Sequence, residues 1–467
     1  MSSFSSLEIG KRGLQAQRLG LDVTSNNIAN VNTPGYARRQ AILIETSPQQ
    51  ILAGFIGTGV LVDNIRSYRE EFFDREIRKN MYQQTGFETD ETIFQRIESI
   101  LSEPSELGLN ESVTKFFNAF EEVSQNPEDV ANRQYLLDTA QTMVDQFHTI
   151  SSRLTDLKGE LKSKFVQDID SANKLIAEIA GLNQKVYSSY SLPGGDAQTY
   201  IDQRELKLEE LSKIAGITVT QSDYGSVNVF INGKNIINQD TYYNLRLNEQ
   251  TSPLTGTTIQ VEAVDPNGNA QFVFPPGGEL ASIAKHFNTT LNELSSGFSI
   301  MRNLNDYADA IVSNVNLEMN SGYGLDDTTP PPPGRDFFEP AGLTAASINI
   351  SNDVANPRDI PLSSAPGEPG NSNIALNIAS MTDTQTFIKD YIRLIGKIGQ
   401  MGKDASNGKS TTKLVADQLS NQRESVIGVN LDEEAVNLIK FQKAFEASSR
   451  VVNLANEILG TIVNLGR

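Results

Sequence analysis

The chain of 467 residues contains no cysteine and no tryptophan, and only two histidines, His148 and His286. Without thiols there are no disulfides and no thiolate ligands, so oxidation cannot hold the fold together in any compartment. A zinc site would have to combine two distant histidines with carboxylates, so no metal is expected. No apolar run reaches the roughly 18 residues that a membrane-spanning helix needs. The start, MSSFSSLEIGKRGLQAQ, lacks the apolar centre of a cleaved secretory signal and is expected to stay on the chain. Positive charge is scarce as well: 39 Lys and Arg against 58 Asp and Glu give a formal net charge of −19. With no Lys/Arg cluster to offset it, this balance argues against nucleic-acid and anionic-membrane partners.

Catalytic patterns are missing too. His148 falls in a helical repeat beside Phe147, and His286 has no HExxH context. The carboxylate pairs Glu121-Glu122, Glu209-Glu210 and Asp326-Asp327 are sequence neighbours, which on a helix point about 100° apart and read as solvated faces. There is no nucleophile elbow and no phosphate loop. The glycine-rich GFIGTG at 54–59 departs from a dinucleotide fingerprint and reads as strand and turn. No catalytic residue, cofactor site or metal site is expected, and the chain reads as a non-enzyme.

What the chain does carry is apolar periodicity. Leu136, Ala140, Met143, Phe147, Ile150, Leu154, Leu157 and Leu161 alternate by four and three, the seam of a coiled coil. The seam then steps by four to Phe165, Ile169, Ala172, Ile176, Ile179 and Val186, a stutter that relaxes supercoiling. A long helix over 133–190, stopped before Pro193, is predicted. At the far end Leu431, Leu438, Phe445, Val452 and Leu459 recur by sevens, with Phe441, Ala455 and Ile462 at the complementary position. Asn430 is the expected N-cap, with Asp432, Glu433 and Glu434 where the helix dipole favours acids. The first 31 residues carry Leu7, Leu14, Leu21 and Ile28, again by sevens, but Gly10, Gly13 and Gly20 each cost about 1 kcal/mol in a helix. Such a helix needs a partner, and the C-terminal one is the obvious choice.

Between these helices the pattern changes to strands and hairpins. Residues 216–237 alternate around Ser-Asp-Tyr-Gly and Asn232-Gly233 turns, and 258–274 around Asp-Pro-Asn-Gly. Helix returns at 280–319 and at about 383–425, separated by a loop-rich stretch with PPPPG at 330–334. The fold class is therefore mainly α with inserted β. Long coiled-coil-like terminal and inner helices bracket a central β-containing domain, and the N- and C-termini pair. In residues, 1–65 with 426–467 form a terminal assembly domain, and 66–214 with 281–320 and 375–425 a long-helix rod. Residues 215–280 form an outer β-containing domain, and 321–374 a segment packed on the rod or the outer domain. Several sequential domains are the alternative; the matched stripes at the two ends favour nesting.

SNNIANVNTPGY (25–36) resembles the N-terminal signature shared by the rod, hook and hook-associated proteins that form the axial family of bacterial flagella. GVNLDEEAVNLIKFQKAFEASSRVVNLANEILGTIVN (428–464) is similar to that family's C-terminal signature. Stretches 54–78, 111–147, 202–219 and 334–350 narrow the resemblance to the hook-associated branch at the hook–filament junction. The resemblance covers most of the chain and is weakest at 240–335.

It implies a secreted, extracellular structural subunit, exported unfolded, that joins hook to filament by self-assembly and templates filament growth. The implied partners are other copies of itself, the hook protein, the second hook–filament junction protein and an export chaperone. Another axial subunit, from rod or hook or the second junction protein, is the alternative. On this view Asn26, Asn27 and Asn30 join Leu7, Leu14, Leu21 and Ile28 as an assembly surface, neutral amides fixing register between subunits. Asn32, Pro34, Gly35 and Tyr36 form the turn that ends the helix. Leu431, Leu438, Phe441, Phe445, Val452, Ala455, Leu459 and Ile462 form the C-terminal assembly helix. Residues 1–30 and 431–467 are expected to be mobile in an isolated monomer.

Overall fold

The computed structural model describes residues 2–51, 54–102, 108–191 and 197–465. It is 62% helical with a few small sheets and long terminal helices. The chain opens with α1 (Ser2–Ala29), then strands β1 (Arg39–Glu45), β2 (Gln49–Ile51), β3 (Gly54–Ile56) and β4 (Val60–Ser67). The helices α2 (Glu71–Leu101), α3 (Leu109–Gln125), α4 (Val130–Tyr190) and α5 (Gln198–Ile214) follow. Next come β5 (Thr218–Gln221), β6 (Val227–Ile231), β7 (Lys234–Asn238), β8 (Thr241–Tyr242), β9 (Asn244–Ser252), β10 (Gly256–Val264) and β11 (Ala270–Val273). The chain then forms α6 (Glu279–Lys285), α7 (Ile300–Met319), α8 (Asn373–Ala379), α9 (Met381–Thr384), α10 (Phe387–Ile427) and α11 (Leu431–Leu465).

The backbone of the molecule is α4. Asp129 caps it by accepting from Ala131 N–H, and its 61 residues run roughly 90 Å at about 1.5 Å per residue. It ends at Tyr190; Pro193 lies outside the described residues. Every heptad position from Leu136 to Leu161, and the shifted set from Phe165 to Val186, is buried. The partner differs from a coiled coil, however. No second helix of equal length lies beside α4 among the described residues. Instead α3, then α6 and β9, then α5 cover it in turn along its length. Side chains mark the relay: Arg133 donates to the Ile360 carbonyl (2.7 Å), His148 Nε2 meets the Ile348 carbonyl (2.8 Å), and Asn173 donates to the Leu245 carbonyl (2.8 Å). An aromatic knot of Phe116, Phe120, Phe337 and Phe338 ties α3 to the loop-rich segment after α7.

The two larger sheets are antiparallel, in orders β5-β6-β7-β8 and β11-β10-β9. Their turns follow the local chemistry. Asn232 and Gly233 both take positive φ, 47° and 78°, as a two-residue hairpin requires. The helix predicted over 280–319 is interrupted. After α6 the chain passes through one π turn, His286–Thr290, and α7 starts only at Ile300. Asn288 and Asn292 turn their amides outward to the Ile259 and Thr255 carbonyls, and Ser299 caps α7 by accepting from Arg302 N–H. Local side-chain bonds of this kind compete with a continuous helix.

Candidate functional site

α1 and α11 pack antiparallel, and glycine forms their seam. A Cβ at Gly20 would stand 2.6 Å from the Phe441 ring, one at Gly10 2.7 Å from Val452, and one at Gly13 3.0 Å from the Ser448 hydroxyl. The glycines that weaken α1 as an isolated helix therefore let α11 approach it closely. Leu14, Leu21 and Ile28 each follow a seam residue by one position, about 100° round the helix. With Leu7 they lie half-buried beside the seam rather than in it. On α11, Leu438, Phe441, Phe445, Val452 and Leu459 are half-buried and Ala455 fully buried, whereas Leu431 and Ile462 are exposed.

At one end of the seam sits a polar lock. Asn27 is 1% exposed. Its amide donates to the Arg39 carbonyl (2.8 Å) and to Glu434 Oε2 (2.9 Å), and its oxygen accepts from Arg39 N–H (3.1 Å) and the Tyr36 hydroxyl (2.7 Å). Arg38 pairs with Glu434 (2.8 Å) and Glu433 (3.0 Å). Asn27 therefore fixes register within one chain and is closed to a neighbouring subunit, contrary to the sequence expectation. Asn30 bonds back to the Asn26 carbonyl (2.9 Å) and receives the Thr33 hydroxyl (3.1 Å), ending the helix. Asn32 and Pro34 stand exposed at the turn. Gly35 has φ +76°, and a Cβ there would meet Leu206 of α5 at 2.6 Å, so the turn needs glycine for both torsion and space.

The Asn27 arrangement recurs elsewhere in the chain. Asn173 clasps the N–H and carbonyl of Leu245 (2.7 and 2.8 Å), Asn183 those of Val227 (3.2 and 2.8 Å) and Asn288 those of Ile259 (2.7 and 2.8 Å). Asn316 does the same to Phe338 (2.9 and 2.8 Å). In each case a neutral amide supplies one donor and one acceptor, the complement of a free backbone pair, without burying a charge.

From the lock, buried and half-buried ion pairs run on to α2, α5 and α10. Arg39 and Arg69 share Asp202 (2.9 and 3.1 Å), Arg69 reaches Asp74 (3.1 Å), Arg78 holds Glu205 (2.7 Å), and Arg423 holds Glu209 (2.6 Å). Burial raises the Asp202 and Glu205 carboxyls above the ordinary range, and the arginines only partly offset it. Removing one partner from such a cluster strands a charge, so the pairs tie β1 and α2 to α5. A cavity of about 790 Å³ lies alongside, lined by Arg66, Asp74, Arg78, Tyr190, Arg204 and Glu205.

Ser282, Lys285 and His286 all converge on Asp90, so Ser282 and His286 do not form a nucleophile–base pair. Burial pushes Asp90 up, but the His286 bond and charge and the Ser282 and Lys285 bonds bring it down to about 2. Among the described residues no group of three or more His, Asp or Glu is placed to hold a metal ion. Nor is any described helix long and apolar enough to cross a membrane.

Two features escaped the sequence reading. The lock partners Arg38, Arg39 and Glu434 have no periodic signature. The second is another apolar stripe on α11, Val451, Leu454 and Ile458, all exposed and continuous with Ile462. Its spacing of three and four was legible, but the heptad template had assigned only one face to that helix.

Comparison with known proteins follows the same outline. Residues 94–338 match the family model of the flagellar hook-associated protein FlgK helical domain. Residues 7–36 match that of flagella basal body rod proteins, and 424–465 the flagellar basal body rod FlgEFG C-terminal model. Flagellar hook-associated protein 1 of Bacillus subtilis is 26% identical over 506 aligned positions, covering 99% of this chain and 98% of the relative. That of Escherichia coli is 24% identical over 541 positions, covering 97% and 98%. The flagellar hook junction protein FlgK from Burkholderia pseudomallei shares the fold, with a TM-score of 0.63 at 13% identity. That superposition covers 75% of this chain and 100% of the other.

Proposed function

This chain belongs to the flagellar hook-associated protein FlgK family, and from that premise we propose that it joins hook to filament as a structural subunit. It self-assembles through its terminal helices and templates filament growth, without catalysis. The observation that supports this reading best is the state of α11. Its seam face is occupied by α1, yet Val436, Ile439, Val451, Leu454, Ile458 and Val463 face outward. Apolar surface of this extent is a mark of an interaction site. The partners are further copies of the chain, the hook protein and the second junction protein. The chain works outside the cell, reached by export in an unfolded state. An export chaperone would hold the stripe of α11 before α1 docks, because docking buries Glu434 against Arg38 and Asn27.

Electron microscopy of a deletion strain, with its medium assayed for unpolymerised flagellin, tests the reading. Complete hooks without filaments, with flagellin lost to the medium, are expected. Normal filaments would refute it, and absence of hooks would place the chain in the rod or hook instead.

A further inference from the structure

Although the chain is 21% charged, two segments that meet at one end of the molecule carry almost no charge. Residues 46–62, TSPQQILAGFIGTGVLV, contain no ionisable side chain, and residues 451–465, VVNLANEILGTIVNL, contain only Glu457. Tertiary structure brings the two together. Strands β1 and β4 form a ribbon whose tip is the β2–β3 hairpin, with Gln50 paired to Phe55 and Gln49 to Ile56. Arg12 donates to the Thr58 carbonyl (3.4 Å), and a Cβ at Gly59 would touch the Ile9 backbone at 3.4 Å. Ile9 is next to Gly10, which lies on Val452. The base of the β2–β3 hairpin is therefore level with the second half of α11.

Both surfaces are apolar and uncovered. Phe55 is 73% exposed and Leu454 58%, with Ile56, Ile458 and Ile462 also in solvent. Neither covers the other within one chain. The Arg12 contact holds the ribbon on α1 and the Thr46–Thr58 bond (2.6 Å) closes the ribbon on itself, while the α11 stripe points away from the seam.

We propose that the hairpin tip of one copy, Phe55 and Ile56, packs on the Val451–Leu454–Ile458 face of α11 in the next copy. This rests on the assembly reading above and names the surfaces that carry it. A second copy is the occupant because both faces are free of charge. Closing them strands no ion, whereas most of the remaining surface of a chain with net charge −19 would repel its like. The two patches are also different from one another and lie on one subunit. Such a contact is head-to-tail, and it propagates from copy to copy into a ring or a helical zone.

The absence of cysteine makes the test clean. Phe55→Cys and Leu454→Cys are introduced together into the full chain, and isolated flagella are oxidised and run without reductant. A ladder of covalent multimers is expected from the double variant and none from either single variant, since the two positions meet only between copies. Three results would overturn the proposal: no ladder from incorporated double variant, dimers from Phe55→Cys alone, or a covalent product with a different protein. A second variant, Phe55→Ser with Ile56→Ser, changes only exposed side chains. It should be exported yet missing from flagella, and normal incorporation would overturn the contact. Normal filaments in the deletion strain would sink the assembly reading itself. Filament loss on deletion with no ladder would sink only this contact.

Discussion

Helices α4 and α11 carry the same apolar spacing and come to different ends. In α4 every heptad position from Leu136 to Leu161 is buried by elements of the same chain. In α11 only Ala455 among the heptad positions is fully buried, and a second stripe is left in solvent. The difference lies in what each helix is offered. Around α4, the aromatic knot, the sheets and the clasping asparagines supply a complete partner surface. Around α11 there is one glycine-seamed helix and a short ribbon. An identical periodicity thus builds a self-sufficient core in one place and an unfinished interface in the other.

The sharpest expected contrast is in amide exchange of the isolated monomer. Protection across α4 should approach the global stability, on the order of 5–15 kcal/mol, while α1 and α11 exchange with little protection. Equal protection in both would end the distinction. Next in size is a pair of substitutions. Phe147→Ala removes a fully buried ring that lies 5.7 Å from Tyr307 and should cost about 3–5 kcal/mol in denaturant unfolding. Leu438→Asp, in the terminal pair, should leave the rod's thermal transition in place and abolish incorporation into flagella.

A smaller effect probes the amide clasps. Asn316→Asp keeps the shape but loses the donor to the Phe338 carbonyl and buries a charge, at a cost of about 1–3 kcal/mol by urea titration. The same change at exposed Asn26 should cost far less, since that side chain stays in water. The smallest expected effect is the pH slope contributed by Asp168 on α4. Burial, opposed by Lys164 and reinforced by the charge of Glu279, pushes Asp168 from 3.8 up to about 6. The folded chain keeps that proton where the unfolded chain has released it, so stability falls as pH rises from about 4 to about 6. The loss is ~1–3 kcal/mol. Asp168→Asn should remove its share of the slope, leaving that of buried Asp202 and Glu205, without changing the exchange of α1 or α11. Asp90, held near 2, works in the opposite sense, its contribution being lost only as pH drops below 3.8.

Periodicity and turn chemistry were sufficient to read much of this molecule. The buried face of α4, the apolar stripes at both ends, the hairpin turn at Asn232-Gly233 and the turn from Asn32 that follows the first helix all come from local rules. In each, the preferred φ/ψ and the spacing of apolar side chains act over a few residues. Tertiary structure alone decided the rest. It made Gly10, Gly13 and Gly20 a contact seam instead of a weakness, because a missing Cβ matters only when another helix arrives. It set Asn27 on Arg39 and Asn316 on Phe338, pairs far apart or irregular in sequence, because a buried amide is tolerable only where a free N–H and carbonyl face it. It also divided the apolar surface of α11 into a face that α1 covers and a face left for another molecule. Sequence spacing states that a side chain seeks burial; only the packed chain shows whether its own residues provide it.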